Sequence, residues 1–246
     1  MMKIPGGNNG QSYHASSCLE VGPTSLSVVR AGHEPDTHEI PSFLKNISLR
    51  VSPLPLLYGD ACMVMQKLVQ GVKTGSEPEA LWFLEHQPVY TYGVRTERAH
   101  IAMAEKTGTP VCLSPRGGQL TFHGPGQRIV YAVIHLRKRR MGAADYVALL
   151  QHWIVSALAR CGVNSWVLPE YVGVWTALGK VASIGVRVSG GVSSHGLAIN
   201  VTRGGKGFEP VVPCGLADVS MTAVQDAVSD VTLKDIDQAL MATHPF

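Results

Sequence analysis

Residues 116–136, RGGQLTFHGPGQRIVYAVIHL, decide the fold of this chain. A β-like run, a Gly-Pro-Gly turn and a strongly apolar run predict a short strand, a sharp bend and a second strand. The bend would present His123 at a strand end rather than in the middle of a sheet. Gly117 and Gly118 lack side chains, which predicts that the backbone approaches a ligand closely there. The segment alone does not say which ligand.

On either side of this segment, short β-like runs alternate with helical ones, which predicts one α/β domain. Apolar residues at helical spacing predict helices over 58–72 and 146–161, and Gly162 stops the second of these. A capping-box pattern that begins at Thr232 predicts a last helix. Further strands are predicted at 80–92 (with a bend at its proline), 171–176, 180–188 and 192–201.

The N-terminal segment differs from the rest of the chain. Residues 1–45 are rich in Gly, Ser, Asn, His and Pro without a period, which predicts a poorly ordered extension before one domain over 46–246. The segment has no basic stretch followed by an apolar core, so it does not resemble a secretory signal. Sparse arginine and the acidic Glu20 argue against a mitochondrial presequence.

Composition and charge exclude several classes of protein. Of the 246 residues, 45% are hydrophobic and 16% charged, as in soluble globular proteins. No apolar run reaches the roughly 18 residues of a spanning helix, so no membrane association is expected. With a net charge of only +3, we expect no nucleic-acid partner. The basic cluster 137–140 is interpreted as a solvated turn, with docking of an acidic carrier protein as the alternative.

The cysteines point to a reducing compartment. They are odd in number and widely spaced without a CxxC pair, which supports neither a disulfide framework nor a metal site. We therefore expect free thiols and a cytoplasmic location. The periodicity marks three of them as small buried hydrophobes and leaves one in the N-terminal extension; with Cys214 the set is Cys18, Cys62, Cys112, Cys161 and Cys214.

Cys214 is the candidate nucleophile. It stands between Pro213 and Gly215, ahead of a helix predicted over 216–227. A thiol at a helix N-terminus ionises more easily than an ordinary one, because the helix dipole stabilises the thiolate. A structural role as a buried cysteine is the alternative.

Lys180 is the candidate proton carrier. It begins an apolar strand, where a buried charge is costly unless it is paired or neutralised. The alternative is a strand end with the amine in water. Further along, His195 followed by Gly196 suggests a second point of close backbone approach.

Together these segments resemble the lipoyl(octanoyl) transferase family. The resemblance extends from about residue 48 to 225, and Phe122 departs from it because the family usually has a tyrosine there, which puts one hydrogen bond in doubt. The motifs that carry it are LWFLEHQPVYTYG (81–93), RGGQLTFHGPGQ (116–127), KVASIG (180–185), SSHGLAINV (193–201) and PCGL (213–216).

The resemblance implies a fold and a site. The fold would be α/β (α+β), a mixed β-sheet flanked by helices, as in the biotin/lipoate protein ligase-like catalytic domain. Cys214 would carry the acyl group as a thioester, and Lys180 would lower the pKa of the thiol and move protons. The acyl-binding residues would be Arg116, Gly117, Gly118, Gln119, Leu120, Thr121, Phe122, His123, Ser183, Ile184, Gly185, Gly196, Leu197 and Ala198.

The resemblance also implies the partners. The donor would be octanoyl-acyl carrier protein, and the acceptors would be lysines on lipoyl domains of 2-oxo acid dehydrogenases and on glycine cleavage H protein. A thioester donor is already activated, so no cofactor or nucleotide is needed, and the chain has no phosphate-binding GxxxxGK[ST] loop. We expect a monomer. The alternatives are an ATP-dependent lipoate or biotin ligase of the same fold and a non-catalytic module that binds an acyl carrier.

Overall fold

A computed structural model describes residues 47–203, 208 and 220–246. The predicted extension over 1–45 lies outside these residues, as does Cys214, and the domain boundary at residue 46 stays a prediction. No helix in the described ranges is long and apolar enough to cross a membrane. The strands are β1 (Ile47–Val51), β2 (Glu79–Leu84), β3 (Val89–Tyr92), β4 (Val111–Leu113), β5 (Thr121–His123), β6 (Gln127–Val133), β7 (Trp166–Leu168), β8 (Tyr171–Thr176), β9 (Gly179–Ser189) and β10 (Val192–Asn200). The helices are α1 (Tyr58–Thr74), α2 (Arg98–Glu105), α3 (Ala143–Arg160), α4 (Val224–Ala227) and α5 (Leu233–Thr243).

The strands form two sheets. A seven-stranded sheet has the order β1-β2-β6-β10-β9-β8-β7, and a three-stranded sheet has the order β4-β3-β5. The large sheet is mixed, because β1 runs parallel to β2 while its other pairs are antiparallel. These sheets and the helices beside them confirm the predicted α/β fold with a mixed sheet.

Local signals in the sequence explain where the main helices begin and end. The first helix ends at Gly75, whose φ of 79° suits glycine. The third ends before Gly162, with φ 76°, as the sequence predicts. Before α5, the Thr232 hydroxyl accepts from the backbone N–H of Asp235, and the Asp235 carboxylate accepts from the backbone N–H of Thr232. The predicted capping box is therefore confirmed.

The strand predicted over 80–92 is two strands in the structure. Residues 80–92 split at the proline bend into β2 and β3, which belong to different sheets. The predicted short strand, Gly-Pro-Gly turn and second strand are confirmed as β5, the turn and β6. These two strands also belong to different sheets, because β5 pairs with β3 and β6 pairs with β2 and β10. The chain crosses between sheets at Gly126, where a Cβ would lie 1.9 Å from the Thr202 hydroxyl oxygen. Only glycine fits this crossing.

The helix predicted over 216–227 is wrong at residues 220–223 and correct at 224–227. Residues 220–223 are not helical, and helix α4 has only four residues. Tertiary pairing overrides the local pattern here. The backbone N–H of Lys180 donates to the Ser220 carbonyl at 2.9 Å, and the N–H of Thr222 donates to the Lys180 carbonyl at 3.0 Å. This bridge extends the large sheet beside Lys180.

The core lies on both faces of the large sheet. Alternate residues of β2 and β6 point to opposite faces, as strand geometry requires. Leu81 and Phe83 lie in the cluster that packs against α3 and α5, whereas Ala80 and Trp82 lie in the cluster under α1. One face is thus covered by two helices and the other by a single helix. The part of this second face that α1 leaves uncovered is where the small sheet and a cavity lie.

Candidate active site

A cavity of about 420 Å³ opens where the small sheet meets β9 and β10. Its wall brings together most of the predicted site residues, although they are far apart in the sequence. These are Arg116, Gly118, Gln119, Leu120, Thr121, His123, Lys180, Ser183, Ile184, Gly185, Gly196, Leu197 and Ala198. Residues that the sequence did not single out for binding complete the described wall: Tyr58, Arg95, Ile129, Tyr131, Val172, His195, Phe208 and Met221.

Among the described residues, two predicted site residues, Gly117 and Phe122, are not in the described wall. The backbone N–H of Gly117 donates to the Val186 carbonyl at 3.0 Å, which ties the glycine-rich loop to β9. Phe122 lies in the small sheet, with its ring centroid 5.3 Å from that of Tyr90. Cys214 lies outside the described residues. Ala182, which precedes the predicted site residue Ser183, is fully buried in the core.

Lys180 is buried in the cavity wall, and only 4% of its surface is exposed. Its Nζ donates to the backbone carbonyl of Val172 at 2.8 Å and lies 5.6 Å from the ring centroid of Trp175. A carbonyl oxygen and an aromatic face both stabilise an ammonium group. The alternative in which the amine of Lys180 lies in water is therefore wrong. The amine is buried and held in a defined place.

Arg116 fixes the glycine-rich loop beside the cavity. Its guanidinium donates to the Thr91 carbonyl at 2.8 Å, the Gln119 carbonyl at 3.0 Å and the Gly117 carbonyl at 2.9 Å. Burial lowers the pKa of this side chain. A Cβ on Gly93 would lie 2.3 Å from the Gly118 carbonyl oxygen, so this close approach is between two segments of the chain itself. Arg116 thus acts as a clamp between β3 and the loop.

His123 is a neutral residue held in one orientation. The Gln127 amide donates to Asn200 at 2.8 Å, so the Gln127 oxygen is the acceptor that faces Nδ1 of His123 at 2.6 Å. The imidazole therefore carries its proton on Nδ1, and its Nε2 lies 3.2 Å from the Thr91 hydroxyl. Burial, followed by the nearby His86 and Arg116, lowers the pKa of His123 to about 3. This arrangement suits a residue that positions the substrate, in keeping with the acyl-binding role that the family resemblance implies.

A second neutral histidine lies behind the cavity. His86 donates from Nδ1 to the Leu56 carbonyl at 3.2 Å, so its Nε2 accepts from the Tyr131 hydroxyl at 2.7 Å. Burial lowers the pKa of His86 to about 4 and raises that of Tyr131. Both groups are uncharged at neutral pH. The only sign of His86 and Tyr131 in the local sequence is that each is a polar residue within an apolar run.

His195 has an unusual backbone conformation for a residue other than glycine, with φ 61°. Its Nε2 lies 3.3 Å from the Tyr58 hydroxyl, which itself donates to Ser114 at 2.8 Å. The buried Nδ1 has no hydrogen-bond partner in the described part of the chain. Burial and the charge of Arg116 lower the pKa of His195 to about 4. The His-Gly pair in the sequence was the only signal for this residue.

The described wall therefore has a simple electrostatic character. Arg95 and Arg116 carry its positive charges, Lys180 supplies an amine, its histidines are neutral, and no carboxylate lines the described part. Within the described ranges, no three His, Cys, Asp or Glu side chains are grouped as metal ligands. Leucine, isoleucine and alanine side chains complete the surface. Such a site can bind an apolar chain and transfer protons through an amine next to its polar end.

Comparisons with known proteins identify the class. Residues 58–244 match the protein family described as "Lipoyl protein ligase A/B catalytic domain". The octanoyltransferase of Paramagnetospirillum magneticum is 37% identical over 204 residues, covering 81% of this chain and 95% of that protein. The octanoyltransferase of Parvibaculum lavamentivorans is 35% identical over 202 residues, covering 79% and 89%. The solved structure of lipoate-protein ligase A bound with ATP has a TM-score of 0.58 at 15% identity, covering 80% of this chain and 83% of that one.

The chain therefore belongs to the family of lipoyl protein ligase A/B catalytic domains. The similarity to the solved ligase shows the same fold, which confirms the predicted architecture of the catalytic domain. The curated relatives confirm the predicted activity as well. The chain is an acyltransferase, and its reaction is octanoyl transfer in protein lipoylation.

Proposed function

We propose that the chain takes an octanoyl group from octanoyl-acyl carrier protein, holds it as a thioester on Cys214 and passes it to a lysine of a lipoyl domain. Lys180 moves the protons in both steps. The observation that carries this proposal is the amine of Lys180, which is buried in the cavity wall. In the described part of that wall, the other side chains that can accept a proton are neutral histidines and hydroxyls. The acceptors would be 2-oxo acid dehydrogenases and glycine cleavage H protein.

The chemistry requires a proton carrier twice. A free thiol has a pKa near 8.5 and a free lysine one near 10.4, so both nucleophiles are mostly protonated at pH 7. A neutral Lys180 would take the thiol proton as sulfur attacks the donor thioester, and would then give it to the departing carrier thiol. It would next accept a proton as the acceptor lysine attacks the acyl-enzyme. Lys180 would then give this proton to the departing sulfur of Cys214, which restores both the thiol and the neutral amine.

Chain connectivity supports the pairing of Cys214 with Lys180. Ser220 accepts a hydrogen bond from the backbone of Lys180 at 2.9 Å, and Met221 pairs with Lys180 as a β-bridge. Cys214 precedes Ser220 by six positions in the sequence. A segment of this length spans at most about 20 Å even when fully extended. The sheet therefore anchors Ser220 beside the lysine, and Cys214 is within reach of that anchor along the chain.

The apolar part of the cavity supports an aliphatic acyl group. Leu120, Ile184, Leu197 and Ala198 line it and offer only hydrocarbon to a ligand. Each buried CH₂ group contributes about 0.8 kcal/mol to binding, so an eight-carbon chain is a substantial anchor. The polar end of the chain would then lie towards Lys180.

The test is intact-mass analysis after incubation with octanoyl-carrier protein and no nucleotide. We expect an octanoyl adduct on the wild-type chain and none on Cys214→Ser. We expect Lys180→Ala to form the adduct about 10²- to 10⁴-fold more slowly, which is the usual contribution of a positioned acid or base.

Two matched controls should behave as wild type. Cys161→Ser removes a thiol whose pKa burial raises, and Lys67→Ala removes an exposed amine on α1. An adduct on Cys214→Ser would disprove the thioester route. A requirement for ATP and free octanoate would instead support a ligase, and a chain that binds the carrier but never forms an adduct would be a non-catalytic module.

A further inference from the structure

The side chain of Lys180 passes directly over Gly173 in the neighbouring strand. Gly173 has φ 139°, a conformation that side chains of L-residues rarely adopt. A Cβ at this position would lie 2.4 Å from Cε and 3.0 Å from Nζ of Lys180, and 2.7 Å from the Ala182 carbonyl oxygen. The space that a side chain would need at residue 173 is therefore already filled by the lysine.

The strand that contains Gly173 also holds the amine. Val172 accepts the hydrogen bond from Nζ at 2.8 Å, and the ring of Trp175 lies beside the same atom. The Gln151 amide in α3 donates to the Gly173 carbonyl at 3.1 Å, which fixes this peptide to the helix behind it. The position of the amine therefore depends on two features: β8 is fixed, and residue 173 has no side chain.

The pairing of the two strands adds to this arrangement. The register of β8 on β9 shifts between the Val174–Ala182 and Trp175–Lys180 pairs. Such an irregularity changes the direction of a side chain relative to a regular strand. Here it lies next to Lys180.

We propose that Gly173 is a positioning residue of the transfer reaction, which acts through the amine of Lys180. Any side chain at position 173 would push Nζ away from the Val172 carbonyl and out of line for proton transfer. The proposal rests on the role of Lys180 in the proposed function. A misplacement of about 1 Å in a reacting group lowers rates by as much as 100-fold, and we expect a loss of about this size for Gly173→Ala.

The test is a double-mutant cycle on the rate of octanoyl-enzyme formation. The four proteins are wild type, Gly173→Ala, Lys180→Ala and the double variant, each given octanoyl-carrier protein and followed by intact mass over time. We expect Gly173→Ala to be slow by itself and to add nothing in the Lys180→Ala background, because the group through which it acts is then absent. A general structural defect would slow the reaction in both backgrounds.

The matched control is Gly162→Ala. Gly162 also has a positive φ, 76°, but no atom lies within 4 Å of the added Cβ. This variant introduces backbone strain without crowding the lysine, and we expect the wild-type rate from its folded molecules.

Thermal unfolding keeps the test informative if Gly173→Ala folds poorly. Removing the lysine side chain relieves the contacts with Cε and Nζ but not the contact with the Ala182 carbonyl, so the double variant should recover part of the Tm that Gly173→Ala alone loses. The absence of coupling in both rate and Tm would overturn the proposal. If Lys180→Ala itself forms the adduct at the wild-type rate, the proposed role of the lysine fails instead. If Lys180→Ala is slow but Gly173→Ala forms the adduct at the wild-type rate, the positioning role of Gly173 fails and the role of Lys180 stands.

Discussion

The two faces of the large sheet are built in different ways. The face under α3 and α5 is apolar at nearly every position, and residues such as Phe83 and Ile154 are fully buried there. The other face has an apolar patch under α1 but then continues into hydrogen-bonded histidines and tyrosines around the cavity. The large sheet thus supports an apolar core on one face and the candidate active site on the other.

This difference shows how the stability and the chemistry of the protein are separated. Close-packed apolar residues stabilise a fold but offer no reactive group. Buried polar residues cost free energy unless each is hydrogen-bonded, and they keep their orientation because their partners fix them. We therefore expect substitutions on the helical face to change the free energy of unfolding, and substitutions on the cavity face to change the rate.

The largest expected effect is on the helical face. Trp153→Ala should lower the free energy of unfolding by about 3–5 kcal/mol, because it leaves a cavity among residues such as Leu240 and Phe246. The indole N–H also donates to the Leu240 carbonyl at 3.0 Å, and this acceptor would lose its partner. Denaturant unfolding measures the loss. The octanoyl-transfer rate per folded molecule should stay within a few-fold of wild type, and a large drop would contradict the separation of the two faces.

A smaller effect is expected in how the free energy of unfolding depends on pH, and it should differ between the two faces. His86, His123 and His195 have folded-state pKa values of about 4, 3 and 4, below the ordinary 6.5, mainly because of burial. The unfolded chain therefore binds protons that the folded chain does not. Stability should be complete above about pH 6.5 and should fall as the pH drops towards 4. Denaturant unfolding across this range measures the slope.

Asp237 on the helical face should act in the opposite direction. Burial raises its pKa to about 6 and outweighs the attraction of Arg128, whose Nε lies 2.7 Å from the carboxylate. Its carboxyl takes up a proton more readily in the folded chain, so it favours folding as the pH falls from about 6. Asp237→Asn should therefore steepen the loss of stability on the acid side. An unchanged or shallower slope would contradict this assignment.

The smallest effect is expected from His123→Ala on the cavity face. Losing this ring frees Gln127 and Thr91 to move, so turnover should fall by roughly 10-fold while the octanoyl adduct stays detectable by mass spectrometry. His152→Ala is the matched control, because this exposed histidine bonds only within α3 and should leave turnover unchanged. Complete absence of the adduct in His123→Ala would show that the histidine activates the nucleophile.

Local patterns in the sequence predicted many of the elements correctly. The stripe over 58–72, the glycine stop at Gly162 and the Thr232 capping box all depend on residues within a few positions of each other. The motifs around His123, Lys180 and Gly196 also named much of the described cavity wall. Where Cys214 lies relative to Lys180 stays a prediction.

Local patterns failed where distant segments meet. Nothing near Tyr131 in the sequence shows that its hydroxyl reaches His86, and nothing near Gly173 shows that the lysine of another strand crosses it. The extended segment at 220–223 depends on pairing with Lys180, which outweighed the helical pattern.

The sequence by itself determined the family, the ends of several helices and the candidates for the reactive side chains, because periodicity, capping and motif chemistry are properties of neighbouring residues. The tertiary structure alone decided that the small sheet lies beside the exposed part of the large one, that Lys180 is buried, and that Val172 and Gly173 hold its amine. The physical reason is that burial, hydrogen-bond partners and the space around a side chain are set by residues that meet only when the sheets assemble.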